Sequence, residues 1–412
     1  MNTEASTRSA GLVRATLTLL AGGAVAQAVP LLLGPLLTRL YTPQEFGHYH
    51  LFSAVAANIA VVACARYEFA LPLERSDEQA TALRALCRWV LLAITLISML
   101  AGAAWAWSLQ DTWPLWLPVG VFVLGALSLA TLDATRDQRF NALAAGRVVQ
   151  HGGGSAAQAV AGVFQAGLHG LIVAPLLAGA ATLAVLGWRW KGGWGLAWSR
   201  LRSVAVAHRQ FPLLNTPHAF AGALQDTAAV ALIAAWQGPA AAGFWGLTLR
   251  YLKAPATLVG GAVSQALYPK LAQAGDRATP ASRAATVRVM GTLALVALPI
   301  VALLVAFGPW AFERAFGAPW REAGELARAL APYIGLHFVA SPLAVVTMAW
   351  KAQGWALRLA LVGQGLFVAA LAAGLAYGGL QGAGWAVSAA MALYFGWYFW
   401  KLATWPVEPV AA

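Results

Sequence analysis

Pro43-Gln44-Glu45-Phe46-Gly47-His48-Tyr49 returns 196 residues later as Pro239-Ala240-Ala241-Ala242-Gly243-Phe244-Trp245. Each copy is a proline, three residues and a glycine, followed within two positions by an aromatic ring, and each comes directly after an apolar run. Proline and glycine are common in turns, so the spelling alone carries little weight. The position carries more. A hydrocarbon core about 30 Å thick needs on the order of 20 apolar helical residues. Twelve runs meet that length, at 11–37, 47–72, 87–109, 114–132, 147–168, 170–187, 212–236, 243–268, 287–309, 326–350, 356–377 and 381–403. The first copy follows run 1 and the second follows run 7, so six spans separate them and both turns face the same side. That is the pattern of a parallel repeat, two halves related by an axis along the membrane normal. The longest polar segment, 188–211, separates an N-terminal six-helix bundle, 1–187, from a C-terminal one, 212–412.

Composition agrees. Of 412 residues, 60% are hydrophobic and 10% charged, against about 25% charged in soluble domains. This predicts an all-α membrane protein. The net charge of +12 does not indicate a nucleic-acid partner, because the basic residues are scattered through the segments between apolar runs. With the N-terminus inside, twenty Lys and Arg fall in cytoplasmic segments and only Arg39, Arg314, Arg321 and Arg328 on the other side. The positive-inside rule therefore predicts a multi-pass membrane protein with both termini cytoplasmic. Arg8, Arg14 and the small-residue pattern Ala26-Gln27-Ala28 resemble a cleaved signal peptide, but the apolar run continues through Leu37 and is read as span 1. Trp105, Trp107, Trp113 and Trp116 bracket an outer turn, and Trp188, Trp190, Trp194 and Trp198 sit in the longest inner loop, as expected of rings at headgroup level. Gly152-Gly153-Gly154 is read as close helix packing. Two cysteines, Cys64 and Cys87, make no disulfide framework, and no Cys/His spacing resembles a metal site, so no metal is expected.

A charge at mid-bilayer costs at least about 2.5–3.5 kcal/mol on insertion scales, so charges within spans mark protein-lined or watery paths. Five occur: Arg66, Glu68, Asp226, Arg250 and Lys253. Arg66 and Glu68 lie near the cytoplasmic end of span 2, within snorkelling reach. Arg250 and Lys253 lie deeper, three residues apart and so on one helical face. Asp226, at comparable depth on span 7, pairs with one of them in the simplest reading, which leaves a positive charge over. Polar neighbours include Asn215, His218 and Gln225 on span 7, Gln158 on span 5, and Tyr333 and His337 on span 10. A single buried Gln is more often an interhelical hydrogen bond than a ligand, while His218 and His337 are candidate proton acceptors. The expectation is a hydrated, net cationic chamber between the bundles that favours an anionic, phosphate-bearing solute.

Several stretches carry a family resemblance. Pro35-Leu36-Leu37-Thr38-Arg39-Leu40-Tyr41-Thr42-Pro43-Gln44-Glu45-Phe46-Gly47, Arg66-Tyr67-Glu68-Phe69-Ala70-Leu71-Pro72 and Ser76-Asp77-Glu78-Gln79-Ala80 resemble the N-terminal signature of the bacterial polysaccharide transporter family. That family contains the O-antigen and exopolysaccharide flippases of the multidrug/oligosaccharidyl-lipid/polysaccharide (MOP) superfamily. Phe211-Pro212-Leu213-Leu214-Asn215-Thr216-Pro217, Gly243-Phe244-Trp245-Gly246-Leu247-Thr248-Leu249-Arg250 and Ser264-Gln265-Ala266-Leu267-Tyr268-Pro269-Lys270 are similar to its second half. The resemblance implies twelve helices in two bundles and alternating access. It also implies a substrate, undecaprenyl-diphosphate-linked oligosaccharide, moved from the cytoplasmic to the periplasmic leaflet for O-antigen, capsule or exopolysaccharide synthesis. No enzymatic activity and no cofactor are implied, though coupling to a proton or sodium gradient and contact with other polysaccharide assembly proteins are expected by analogy. Arg39, Arg66, Glu68 and Arg250 are family-like positions. Together with Lys253, Asn215 and Gln225 they form the expected substrate-handling set, with Asp226, Glu68, His218 and His337 for coupling or charge balance. The rival readings are a cation or drug antiporter of the same superfamily, which needs more membrane acids than the two present, and a polysaccharide polymerase or ligase, which needs a larger outer loop than 310–325.

Overall fold

A computed structural model of the protein describes residues 22–188, 196–273 and 278–407, which are helices and short connections with no strand among them. Arg8, Arg14, Arg189, Lys191, Arg277, Trp190 and Trp194, which entered the charge and aromatic arguments, lie outside the described residues. The chain divides into two compact units, Met1–Thr227 and Ala228–Ala412.

The first unit opens with α1 (Gly22–Leu40) and α2 (Pro43–Ala60). Their turn is closed by a capping box: Thr42 accepts from the Glu45 amide at 3.2 Å while the Glu45 carboxylate accepts from the Thr42 amide at 2.7 Å. Pro43 takes the first helical position, where its missing N–H costs nothing. Pro239 opens its own helix in the same way, directly after Gly238 at φ 86°, so the two copies of the repeated motif are both helix starts.

The second expected span, 47–72, is helical only as far as Ala60. Ala65 and Arg66 both adopt left-handed backbone, φ 49° and 62°, a region that disfavours residues with a Cβ and cannot propagate a helix. The chain resumes as a 3-10 segment, Tyr67–Leu73. Next come α3 (Asp77–Leu109), started by a Ser76 cap, and α4 (Leu117–Arg136). The expected fifth span is α5 (Phe140–Arg147) and α6 (Gly154–Val163), joined by a π-helical stretch at Val148–Gly153. The glycine triplet serves packing, as expected, with Gly154 set against Pro175 and Ala178 of α7 (Gly167–Val185).

Helices α2, α3 and α7 all pack on α4, whose Leu117, Val121, Ala126, Leu129 and Ala130 are buried in the core of this unit. Gly125 lets them close in: a Cβ there would stand 2.6 Å from Leu91 and 2.8 Å from Ala63. Gln158 is the interhelical hydrogen bond its sequence context suggested, its side-chain amide donating to the Leu171 carbonyl at 2.9 Å while its backbone carbonyl accepts from the Tyr41 hydroxyl at 2.7 Å.

The loop expected over 188–211 contains a helix, α8 (Trp198–Ala207). Leu201 and Val204, one turn apart, are buried; Arg200 pairs with Glu78 and Tyr67 donates to the Ala205 carbonyl at 3.3 Å. A short π-helical turn, Phe211–Asn215, leads into α9 (Thr216–Gln237), inside which the two units meet along the chain.

The second unit holds α10 (Pro239–Gln273), α11 (Pro280–Phe316), α12 (Arg321–Ala340), α13 (Ala344–Ala349) and α14 (Gln353–Ala403). Helix α12 is the centre, packed by α10, α11 and α14, with Ala323, Leu326, Ala327, Leu330 and Ala331 sealed from solvent. Helix α14 is two of the expected spans in one. It breaks at Gly378 and Gly379, the latter at φ 60°, and the two arms touch where Gly374 meets Gly382 and Ala383.

Among the described residues eight helices are long and apolar enough to cross a membrane. Each of the twelve expected runs includes helix, but α2, with Gln44, Glu45, His48, His50 and Asn58, is too polar and α5–α6 too broken to qualify, and α10, which carries Arg250 and Lys253, is not among the eight. The tryptophans correct one expectation. Trp107 is exposed, but Trp113 is buried edge-on against Trp105 at 4.7 Å and so belongs to the core.

Candidate functional site

In the second unit the decisive element is α10. Thr248 donates to the Ala323 carbonyl at 2.9 Å and Trp245 is buried edge-on against Phe367 at 6.2 Å. These contacts fix the start of α10 on α12 and α14. Arg250 and Lys253 follow on the same helix, both half-buried. Lys253 lies on α10, which packs on α12, the helix that carries His337. His337 in turn lies 5.9 Å from Tyr333 and 6.3 Å from Phe395, and Tyr333 lies 5.6 Å from Phe367. Two residues singled out in the sequence, Tyr333 and His337, are therefore ring neighbours inside this unit, and Tyr333, Phe367 and Phe395 are buried in its core. A separate apolar cavity of about 250 Å³ opens between α10, α11 and α12, lined by residues such as Tyr251, Pro255, Val301 and Phe338; neither Arg250 nor Lys253 lines it.

In the first unit the structure corrects the snorkelling reading of Glu68. Its side chain is 2% exposed. One carboxylate oxygen accepts from the Ser128 hydroxyl at 3.3 Å, and the other has no hydrogen-bond partner. Arg66, in its left-handed conformation, lays its guanidinium over the Phe69 ring at 4.7 Å, a cation–π contact. Cys64 and Cys87, 23 positions apart in the chain, come together beside Glu68, with the two sulfurs and a carboxylate oxygen within 4.8 Å of one another and all three residues buried. Sequence spacing gave no sign of this, because the helical break at Ala65 and Arg66 sets the meeting point.

The remaining candidates lie elsewhere. Arg39 is exposed near the end of α1, and Asn215 is exposed at the end of the π-helical turn before α9. On α9, Gln225 is half-buried and Asp226 exposed, while the side chain of His218 lies outside the described residues.

Residues 36–325, about seven-tenths of the chain, match the family described as polysaccharide biosynthesis protein. The chain belongs to that family. No curated protein shows significant sequence similarity to it. Its fold is similar to solved MOP-superfamily structures. An inward-facing multidrug resistance MATE family transporter of that superfamily aligns with TM-score 0.66 at 15% identity, over 94% of each chain. The lipid II flippase MurJ in an inward closed conformation aligns with TM-score 0.65 at 10% identity, over 95% of this chain and 90% of that one. The Vibrio cholerae MATE transporter VcmN in its bent form gives 0.53 at 15% identity, over 97% of each. The family member described here is thus a multi-pass membrane protein whose fold is like that of solved MATE and MurJ structures, as the family resemblance implied.

Proposed function

We propose that this protein is a flippase that carries undecaprenyl-diphosphate-linked oligosaccharide from the cytoplasmic to the periplasmic leaflet of the inner membrane by alternating access, for assembly of O-antigen, capsule or exopolysaccharide. The observation that carries the reading is the cationic face of α10 within a polysaccharide-biosynthesis family member of MOP fold. Arg250 and Lys253 are half-buried cations on the helix that packs against α12, which carries Tyr333 and His337. A diphosphate and a hydroxyl-rich glycan must cross a layer that offers neither counter-ion nor hydrogen bond. Arg250 and Lys253 supply the counter-charge, Arg250 through two-point contact with phosphate oxygens. Arg39, Arg66, Asn215 and Gln225 are assigned to the headgroup path, and Asp226, Glu68, His218 and His337 to charge balance in a cycle driven by a proton or sodium gradient.

The reading is tested on α10 itself. Single cysteines placed from 243 to 268 in a cysteine-free background are expected to react with a water-soluble maleimide along one stripe that includes 250, 253 and 257. Added undecaprenyl-diphosphate oligosaccharide should protect that stripe. Uniform protection without substrate, or labelling that substrate leaves unchanged, contradicts it.

A further inference from the structure

The flippase reading gives no role to Cys64 and Cys87, the two cysteines of the chain, and only a charge to Glu68 beside them. Their side chains arrive from three places in the first unit. Cys64 lies in the turn after α2, Glu68 in the 3-10 segment that follows the break at Ala65 and Arg66, and Cys87 on α3. Neither cysteine is in a disulfide, and the Cys64 thiol makes one long contact, to the Gly125 carbonyl at 3.9 Å. Both sulfurs and a Glu68 carboxylate oxygen lie within 4.8 Å of one another. A tetrahedral zinc ion, with Zn–S of about 2.3 Å and Zn–O of about 2.0–2.2 Å, sets such donors about 3.6–3.8 Å apart, so side-chain rotation closes the group around an ion without moving a helix. The carboxylate is already oriented: Ser128 of α4 donates to Glu68 Oε1 at 3.3 Å, and Oε2, sealed from solvent, has no hydrogen-bond partner. A carboxylate oxygen in that position is costly unless a cation or a donor meets it. The two sulfurs decide which cation, because thiolates select zinc-like ions whereas calcium and magnesium take oxygen donors.

We infer that Cys64, Glu68 and Cys87 form a binding site for a divalent, thiol-seeking metal ion of the zinc class. Binding releases the two thiol protons to water and leaves two thiolates, a carboxylate and the ion, a group with one negative charge in excess. Arg66, two residues from Glu68 and with a buried Nε that has no hydrogen-bond partner, carries the opposite sign. Three protein donors leave the fourth position of a tetrahedral ion open. The ion ties the left-handed break after α2 to α3 and, through Ser128, to α4. The inference does not depend on which solute the transporter carries, and it makes a held ion the charge that Glu68 balances.

Full-length protein in detergent, with its thiols reduced and metal removed by a chelator, is titrated with Co²⁺ without oxygen. One ion per chain is expected, with the visible bands of tetrahedral cobalt and the near-ultraviolet band of a cobalt–thiolate bond, and Zn²⁺ should displace it. Cys64→Ala/Cys87→Ala should abolish the thiolate band. Groups that orient a metal ligand contribute about 10–100-fold to affinity, so Ser128→Ala should weaken binding about tenfold. Glu68→Gln removes a ligand at constant size and should weaken binding about a hundredfold or more while the thiolate band persists at saturation. These two variants leave the cysteines in place, so the test survives any loss of fold in the double variant. Zn²⁺ should also raise the melting temperature of the parent and not that of Cys64→Ala/Cys87→Ala. No cobalt–thiolate band in the parent, or affinity unchanged by Glu68→Gln and Ser128→Ala, overturns the inference. A Cys64–Cys87 disulfide found by mass spectrometry in unreduced protein, with no cobalt band after reduction, overturns it in favour of a redox pair.

Discussion

Cells whose only copy carries Arg250→Gln together with Lys253→Gln are expected to lose surface polysaccharide while keeping the protein in the membrane at parental level. Both residues are half-buried on one face of α10, where each charge is costly unless it serves a path or a partner. Glutamine is shorter than either side chain but still polar and hydrogen-bonding, and the packing of α10 against α12 and α14 runs through Thr248 and Trp245, which are untouched. What disappears is the counter-charge for a diphosphate. Hydrogen bonds to charged groups contribute about 1.5–3 kcal/mol each, so losing two should slow export at least about a hundredfold. Each single variant should give a partial defect, and Lys253→Arg should retain export, since the charge is preserved. The measurements are surface polysaccharide by gel or antibody and protein level by immunoblot in the same cells. Normal export from a stably present double variant contradicts the role assigned to α10.

The second large effect is structural. In α14 a Cβ at Gly374 would stand 2.5 Å from the Ala383 Cα and 2.5 Å from the Gly382 carbonyl oxygen. Backbone cannot yield as a flexible side chain does, so Gly374→Val must push the two arms of the hairpin apart and open the packing that follows the Gly378–Gly379 break. Overpacking of this kind costs about 1–3 kcal/mol or more, and a marked fall in melting temperature or in recovered monodisperse protein is expected. Gly365, on the first arm of the same helix, faces open space. Gly365→Ala should be neutral or slightly stabilising, by up to about 1 kcal/mol from helix propensity. Equal behaviour of the two variants in a thermal-unfolding assay would contradict the close approach.

The features legible in the sequence are those that repeat or that span a membrane by length. Apolar runs located the helices because a bilayer sets their length, and the twin proline-glycine turns placed α2 and α10 at equivalent starts. Gln158 was readable as a structural bond because a lone amide between apolar helices has few other uses. Three things escaped. The end of α2 depends on left-handed backbone at Ala65 and Arg66, which are not glycine or asparagine and so carry no turn signal. The meeting of Cys64, Glu68 and Cys87 follows from that break and from the register of α3, neither of which is written in spacing. A polar cavity lined by Arg84, Arg88, Asp133, Asp137, Arg139 and Trp188 draws on α3, the α4–α5 turn and the end of α7, residues 104 positions apart at the extremes whose charges looked in sequence like an ordinary positive-inside loop set. Within the expected site, the packing of α10 on α12 is not written in the sequence, where Lys253 and His337 are merely two polar residues in separate spans.

The central claim, that this protein flips a polyprenyl-diphosphate oligosaccharide with the help of the α10 cations, is tested most directly by reconstitution. Sealed proteoliposomes are loaded symmetrically with undecaprenyl-diphosphate oligosaccharide, and the sugar reachable by a membrane-impermeant periodate treatment is followed over time. With the parent protein essentially all of the sugar should become reachable, whereas protein-free vesicles and vesicles bearing Arg250→Gln/Lys253→Gln should stop near half. Parent vesicles that stop near half as well, or double-variant vesicles that go to completion as fast as the parent, would contradict the account.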